Sequence, residues 1–259
     1  MEKSVNKVHS VAKAMHLLEL LEAGPLSLRD LSQQSGWPKS TVHGLLNSMR
    51  ESRIIEQSEN DGRYRLGLRL FELGSKISSS WDITAIARPH MQNIALQTGQ
   101  SVYLTMLDRN EVMLMDYADS GGPLRISADK GSRFPAYCTA PGKAIMANLS
   151  GYEVQSILNK GLFAYTPHTI LSAQKMKDEL LLCKKQGYAV EDGEHRIGLR
   201  AVAAPIFDVS GKPKWAISVI GMFRRISDDG FIAAREAVIH AAAIISDDLG
   251  YRSLKVHNK

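Results

Sequence analysis

Ser40, His43, Gly44 and Asn47 fall at i, i+3, i+4 and i+7, which places short and hydrogen-bonding residues on one side of a helix. Such a face can present donors and acceptors to base edges and phosphate oxygens. Lys39 and Thr41 stand at the start of the same stretch, where free N–H groups and the helix dipole favour an anion. Lys39, Arg50 and Arg53 supply positive charge around it, and Arg63 and Arg65 follow. The chemistry these residues suggest is contact with a nucleic acid.

Other chemistry has weaker support. The chain contains neither a glycine-rich phosphate loop ending in Lys-Ser/Thr nor an HExxH sequence. Glu194 and His195 are adjacent, a poor spacing for two ligands on one helix face, and His168 and His195 read as satisfied loop residues. Cys138 and Cys183 are the only cysteines and form no zinc or CxxC pattern. No metal and no cofactor is expected. Cys138 could serve as a reactive thiol in a small-molecule enzyme, although a lone cysteine is more often a small apolar core residue.

The elements that must hold the Ser40–Asn47 face can be read around it. Val8, Val11, Ala12, Met15 and Leu18 form an apolar stripe on a first helix that Gly24-Pro25 ends. Ser27, three residues before Asp30, starts a short second helix with Leu28 and Leu31 inward, and Gly36 is the turn after it. Pro38 suits the first turn of the third helix, whose Val42, Leu45, Leu46 and Met49 should pack on the first two. Residues 54–57 and 63–66 read as strands around the Asn60-Asp61-Gly62 turn. Three helices followed by a hairpin make a winged helix-turn-helix, with the third helix as major-groove reader. Glu56, Glu59 and Asp61 weaken the case for wing contact. A small helical module that binds protein is the plainer alternative, but the order of elements favours DNA.

A helix should run from Leu66 to Ser80 with Leu70, Leu73 and Ile77 along one side, and Ser78-Ser79-Ser80 marks the domain boundary. A second helix spans about 83–98. Beyond it, strands at 101–107, 111–117, 201–207 and 215–220 alternate with helices near 142–149, 152–160, 173–186 and 228–249, an α+β domain. The 259 residues allow two domains, and no apolar run could cross a bilayer. The N-terminus lacks a secretory apolar core, so the reducing cytoplasm is the expected compartment, with no membrane partner. The net charge of +5 permits a polyanionic partner. Residues 1–80 carry 11 Lys+Arg against 9 Asp+Glu, so the DNA expectation rests on pattern and not on bulk charge.

The runs VAKAMHLLELL, LSLRDLSQQSGWPKSTVHGLL, GRYRLGLRLFELG, YCTAPGKAIMANL, GYAVEDGEHRIGLRAVAAPIFD and WAISVIG, in that order, resemble the isocitrate lyase regulator (IclR) family over nearly the whole chain. The resemblance implies a GAF-like C-terminal domain that binds a small organic acid. It implies that the loop Ala140–Gly142, the acidic loop Asp192–Glu194 and the strand position of Ser218 line the pocket, with Cys138 and Met146 as further candidates. It also implies repression relieved by ligand as the commoner mode. Three departures stand out: Gly44 where the family usually has arginine, Pro141 without an N–H, and Ile220 where some relatives carry serine.

The expected architecture is therefore a winged helix-turn-helix over residues 1–66, a linker helix over 67–81 and an effector domain over 82–259. Lys39, Ser40, Thr41, His43, Asn47 and Arg63 are the candidate DNA contacts. Ala140, Gly142, Asp192, Ser218, Cys138, Met146 and Glu194 are the candidate effector contacts. The expected partners are a double-stranded DNA operator, a carboxylate-bearing metabolite and further copies of the chain, as a homodimer or homotetramer.

Overall fold

The computed structural model describes residues 8–80, 83–119, 121 and 128–251, and for 75–80 the backbone only. The chain divides into two compact units, residues 1–81 and 82–259.

The first unit contains α1 (His9–Leu20), α2 (Leu28–Ser35), α3 (Lys39–Glu51), β1 (Ile55–Gln57), β2 (Tyr64–Leu66) and α4 (Leu68–Ser80). Ser27 starts α2 through a reciprocal cap: its Oγ accepts from the Asp30 N–H, and the Asp30 carboxylate accepts from the Ser27 N–H, both at 3.2 Å. Gly36, at φ 72°, ends that helix in the left-handed region. Leu17, Leu21, Leu31, Val42, Leu46, Met49, Ile55 and Tyr64 form the core. The expected stripe on α1 is corrected. Val8, Val11 and Met15 are more than half exposed, and the core side is Leu17 and Leu21 with Ala14 and Leu18 packed beside them. α1 is apolar on two sides at helical spacing, and α2 and α3 cover only one of them.

β1 and β2 are antiparallel, with Ile55 opposite Leu66 and Glu56 opposite Arg65. Leu26 bridges Tyr64 through reciprocal backbone hydrogen bonds of 3.0 and 2.8 Å, a third strand position beside the wing that the sequence pattern did not suggest. Gly67 follows β2, where a Cβ would stand 2.4 Å from the Arg53 carbonyl oxygen. Only glycine lets the chain pass there.

The second unit contains α5 (Ile83–Thr98), β3 (Ser101–Asp108), β4 (Glu111–Ala118), β5 (Arg133–Pro135), a 3-10 turn at Ala136–Cys138, α6 (Ala140–Met146), α7 (Gly151–Leu158), α8 (Ala173–Gln186), β6 (Ala189–Asp192), β7 (Arg200–Phe207), β8 (Pro213–Gly221) and α9 (Asp229–Asp248). The strands make one antiparallel sheet in the order β5-β4-β3-β8-β7-β6. Strands alternate sides along their length. α5 and α9 pack on one side of the sheet, while α6 and the core of α7 and α8 lie against β3, β7 and β8 on the other. The short β5 and β6 replace what the sequence pattern left as loop. Among the described residues no helix is long and apolar enough to cross a membrane.

Candidate nucleic-acid interface and ligand cavity

α3 turns Val42, Leu46 and Met49 into the core and leaves Ser40, His43 and Gly44 exposed, with Asn47 half-buried. The His43 and Asn47 side chains lie 3.4 Å apart, one turn from each other, so both end groups sit on the solvent face. Lys39 is exposed and Thr41 half-buried at the N-terminal turn. At the other end, the Arg50 guanidinium donates to the Gln57 side-chain oxygen at 2.8 Å and ties the helix to β1. In the wing, Arg63 is exposed with Asp61 at 3.8 Å, while Arg65 is paired with Glu56 at 2.9 Å. Arg65 is the less available of the two for phosphate.

The second unit holds a small cavity of about 60 Å³ between the sheet and α6. Its polar lining is Tyr103, Thr105, Thr139, Glu191, His195 and Ser218, with Arg196 among the wall residues. Val112, Phe134, Pro141, Leu199 and Ile220 supply apolar surface. Cross-strand register explains the grouping: Tyr103 pairs with Ser218 and Ala201 pairs with Ile220, which brings alternate residues of β3, β7 and β8 to one face.

Glu191 is the buried acid of this cavity, at 4% exposure. Burial pushes its carboxyl up to about 7, with Glu194 nearby acting in the same sense. The N–H of His195, at 3.2 Å, and that of Ala140 oppose the shift by favouring the ionised form. Burial holds the His195 imidazole below its ordinary range, as does the neighbouring Arg196. The His195 ring stands edge-on to Phe134 and 5.0 Å from the ring of Tyr165. Thr166 and Thr169 donate to the carbonyls of Gly193 and Glu194, both at 2.7 Å, and so fix the loop that carries His195 and Arg196.

Of the residues expected in the pocket, Ser218 lines the cavity. Ala140 and Gly142 are fully covered in the backbone packing of α6, and their neighbours Thr139 and Pro141 form the wall instead. At Gly142 a Cβ would meet the Ala136 carbonyl oxygen at 2.1 Å, so this glycine permits the close approach of α6 to the preceding turn. Met146 and Cys138 point into the core. Asp192 is exposed and paired with Arg200 at 2.7 Å, on the opposite side of β6 from Glu191. Glu194 turns away to the Lys143 ammonium at 2.5 Å, which also reaches Glu179 at 3.2 Å. Lys143 is completely buried. Burial alone would lower its affinity for the proton, but the Glu194 and Glu179 carboxylates outweigh it and keep the ammonium charged.

The sequence pattern missed Glu191, Tyr103, Thr105 and Phe134, and treated His195 as an ordinary loop residue. The available signal was strand alternation through Ala189-Val190-Glu191-Asp192, which puts Glu191 on the side of the buried Ala189. For the alternative chemistry the geometry is unfavourable. Burial, then the Glu191 and Glu194 carboxylates, push the Cys138 thiol up to about 12, so it is protonated and a weak nucleophile at neutral pH. Among the described residues no cluster of three or more His, Cys, Asp or Glu could hold a metal ion.

A winged helix with one exposed face on α3, in a chain whose second unit is a sheet domain with a partly open polar-apolar cavity, defines a two-domain protein of the helix-turn-helix class. Comparison with known proteins gives the family. The sequence profile described as "IclR helix-turn-helix domain" matches residues 10–59, and that described as "Bacterial transcriptional regulator IclR C-terminal" matches residues 75–247. The chain is 35% identical over 244 residues to the transcriptional repressor IclR of Escherichia coli (strain K12), covering 92% of this chain and 89% of the relative. Among solved structures it is similar to an IclR transcriptional regulator from Alicyclobacillus acidocaldarius, with a TM-score of 0.81, 28% identity and coverage of 94% of this chain and 100% of that one. It shares its fold with an IclR homologue from Microbacterium hydrocarbonoxydans, solved in complex with 4-hydroxybenzoate, at a TM-score of 0.81, 24% identity and coverage of 93% and 98%. The protein belongs to the IclR family of bacterial transcriptional regulators, and its helix-turn-helix is a DNA-binding domain.

Proposed function

We propose that the protein is a cytoplasmic repressor that binds a near-palindromic operator as a dimer and releases it when a small carboxylate-bearing metabolite enters the cavity between α6 and the sheet. The observation that carries this reading is the division of α3 into a buried Val42-Leu46-Met49 side and an exposed Ser40-His43 side. In this reading Ser40, His43 and Asn47 read base edges, while Lys39, Thr41 and Arg63 position the helix on phosphates. Two α3 helices, one per subunit, enter major grooves about 10 base pairs or a multiple apart. Relatives named as repressors support the direction of control, and a fold neighbour solved with an aromatic acid supports a small-acid ligand. Among the effector candidates Ser218 is retained, and Glu191 takes the acidic position that Asp192 was expected to hold.

The test is DNA binding by His43→Ala and Asn47→Ala at fixed salt. Each should weaken binding to the selected operator by about 1–3 kcal/mol, and weaken binding to random duplex much less. Wild-type operator affinity in both variants would remove α3 from base recognition.

A further inference from the structure

α3 ends in a turn that usually carries glycine at its pivot. The N–H of Arg53 donates to the Arg50 carbonyl and that of Ile54 to the Met49 carbonyl, both at 2.9 Å, which satisfies two of the last carbonyls of the helix. The pivot of this turn is Arg53, at φ 57°, where a side chain carries a cost that glycine avoids. The surroundings hold the residue there. Ile54 packs against the core of the unit, and Gly67 passes so near that a Cβ on it would stand 2.4 Å from the Arg53 carbonyl oxygen. The backbone gives no reason for an arginine at this position. Arg53 is exposed, and among the described residues its guanidinium has no ion-pair partner. Glu56 feels its charge but is itself paired with Arg65 at 2.9 Å.

Arg53 borders a surface groove between the end of α3 and the wing, with Arg50, Gln57, Ser58, Glu59 and Arg65 in the same lining. Arg50 stands three residues beyond Asn47 and continues the Ser40-His43-Asn47 side of the helix. The groove therefore adjoins the base-reading side. A duplex that takes α3 into its major groove and the wing beside the adjacent minor groove runs one phosphate strand between the two, because that strand separates the grooves. Charge decides whether the groove can hold it. Of its three arginines, Arg65 is paired with Glu56, Arg50 is tied to the uncharged Gln57 and Arg53 is unpaired, while Glu59 is the remaining carboxylate of the lining. The carbonyl end of α3 repels an anion, so a phosphate there needs a guanidinium to hold it.

We propose that Arg53 grips the phosphate strand that runs between α3 and the wing, and that it occupies a position where glycine would make the protein more stable. This rests on the reading of α3 as the major-groove helix, and it adds a contact at the opposite end of that helix from Lys39 and Thr41. The guanidinium fork matches two phosphate oxygens at once. A phosphate contact carries no sequence information, so its loss weakens every duplex alike.

Fluorescence anisotropy of the full chain with a selected operator and with a random duplex, over a salt series, tests this together with thermal melting. R53G should raise the melting temperature by about 2–4 °C. It should weaken both duplexes roughly five- to tenfold at about 0.1 M salt, and lower the magnitude of the slope of log K against log salt by about 0.9. R53N, which tolerates the left-handed region and lacks the charge, should follow R53G. R53K should keep the wild-type salt slope and melting temperature. An unchanged slope in R53G overturns the proposal. So does a loss in R53K as large as in R53G, since the charge would then be irrelevant. Lower melting temperatures in both R53G and R53N overturn the claim that stability is forgone. H43A and N47A separate the two readings. If they bind the operator as the wild type does, α3 is not the reader and both readings fall. If they are impaired while R53G keeps the full slope, only the role of Arg53 is excluded.

Discussion

Glu191 ties stability to pH at the scale of a single residue. Its carboxyl titrates near 4.5 when exposed and is raised to about 7 in the folded chain, chiefly by burial. A raised acid binds its proton more tightly folded than unfolded. The stabilisation is therefore complete below about pH 4.5 and is lost as pH rises through about 7. Between about pH 5 and pH 8 the wild type should lose about 2 kcal/mol relative to Glu191→Gln, which cannot titrate. Urea unfolding of both proteins at the two pH values measures the difference. A constant gap would mean that Glu191 is already ionised and solvated. This residue also marks the limit of legibility. The segment that contributes to the cavity was recognisable in GYAVEDGEH, but the inward residue was not. Asp192 and Glu191 differ by one position, and in a strand one position reverses the side. With β6 taken as loop, nothing in the sequence distinguished them.

At the scale of elements, the helices of both units were legible because apolar periodicity and caps agree. The Ser27–Asp30 cap starts α2, and the 173–186 helix is bounded by Ser172 and by Gly187 at φ 80°. Two glycines show where local pattern stops short. Gly44 has no heavy atom within 4 Å of its missing Cβ, whereas at Gly142 that Cβ would stand 2.1 Å from the Ala136 oxygen. Sequence alone made Gly44 the notable one and Gly142 a ligand contact. Packing assigns the constraint to Gly142, and only the three-dimensional approach of α6 to the 3-10 turn shows it. Gly44→Ala should stabilise the protein by about 0.5–1 kcal/mol, since alanine relieves the entropy cost of glycine in a helix interior. Gly142→Ala should destabilise by about 2–3 kcal/mol, because a backbone atom cannot yield as a side chain can. Thermal melting of the two variants should move in opposite directions. A lower melting temperature for Gly44→Ala would require a neighbour that the described residues do not contain.

At the scale of the whole molecule, the misread face of α1 becomes informative. Val8, Val11 and Met15 are 62, 60 and 54% exposed and share one side of the helix. Burying them would contribute roughly 25 cal/mol per Å² of apolar surface removed from water, which favours a partner surface over solvent. The proposed two-fold operator would demand a two-fold protein, and an isologous contact places the same patch on both subunits. For the proposed dimer, the exposed apolar face of α1 is a surface of that kind within the DNA-binding unit itself. Val11→Asp combined with Met15→Asp should therefore leave the Leu17–Leu21 core intact and weaken pairing of the readers. The consequence appears in the ratio of full-operator to half-operator affinity. The double variant should bind a single half-site as the wild type does, because α3 is untouched, while losing about tenfold or more of the full-site advantage as the two readers cease to act as one ligand. Titration of both duplexes by fluorescence anisotropy gives the ratio directly. An undiminished ratio would mean that the readers are paired through other surfaces. Equal loss on both duplexes would mean that the aspartates damaged the winged helix itself, and circular dichroism of the variant would then show reduced helix content.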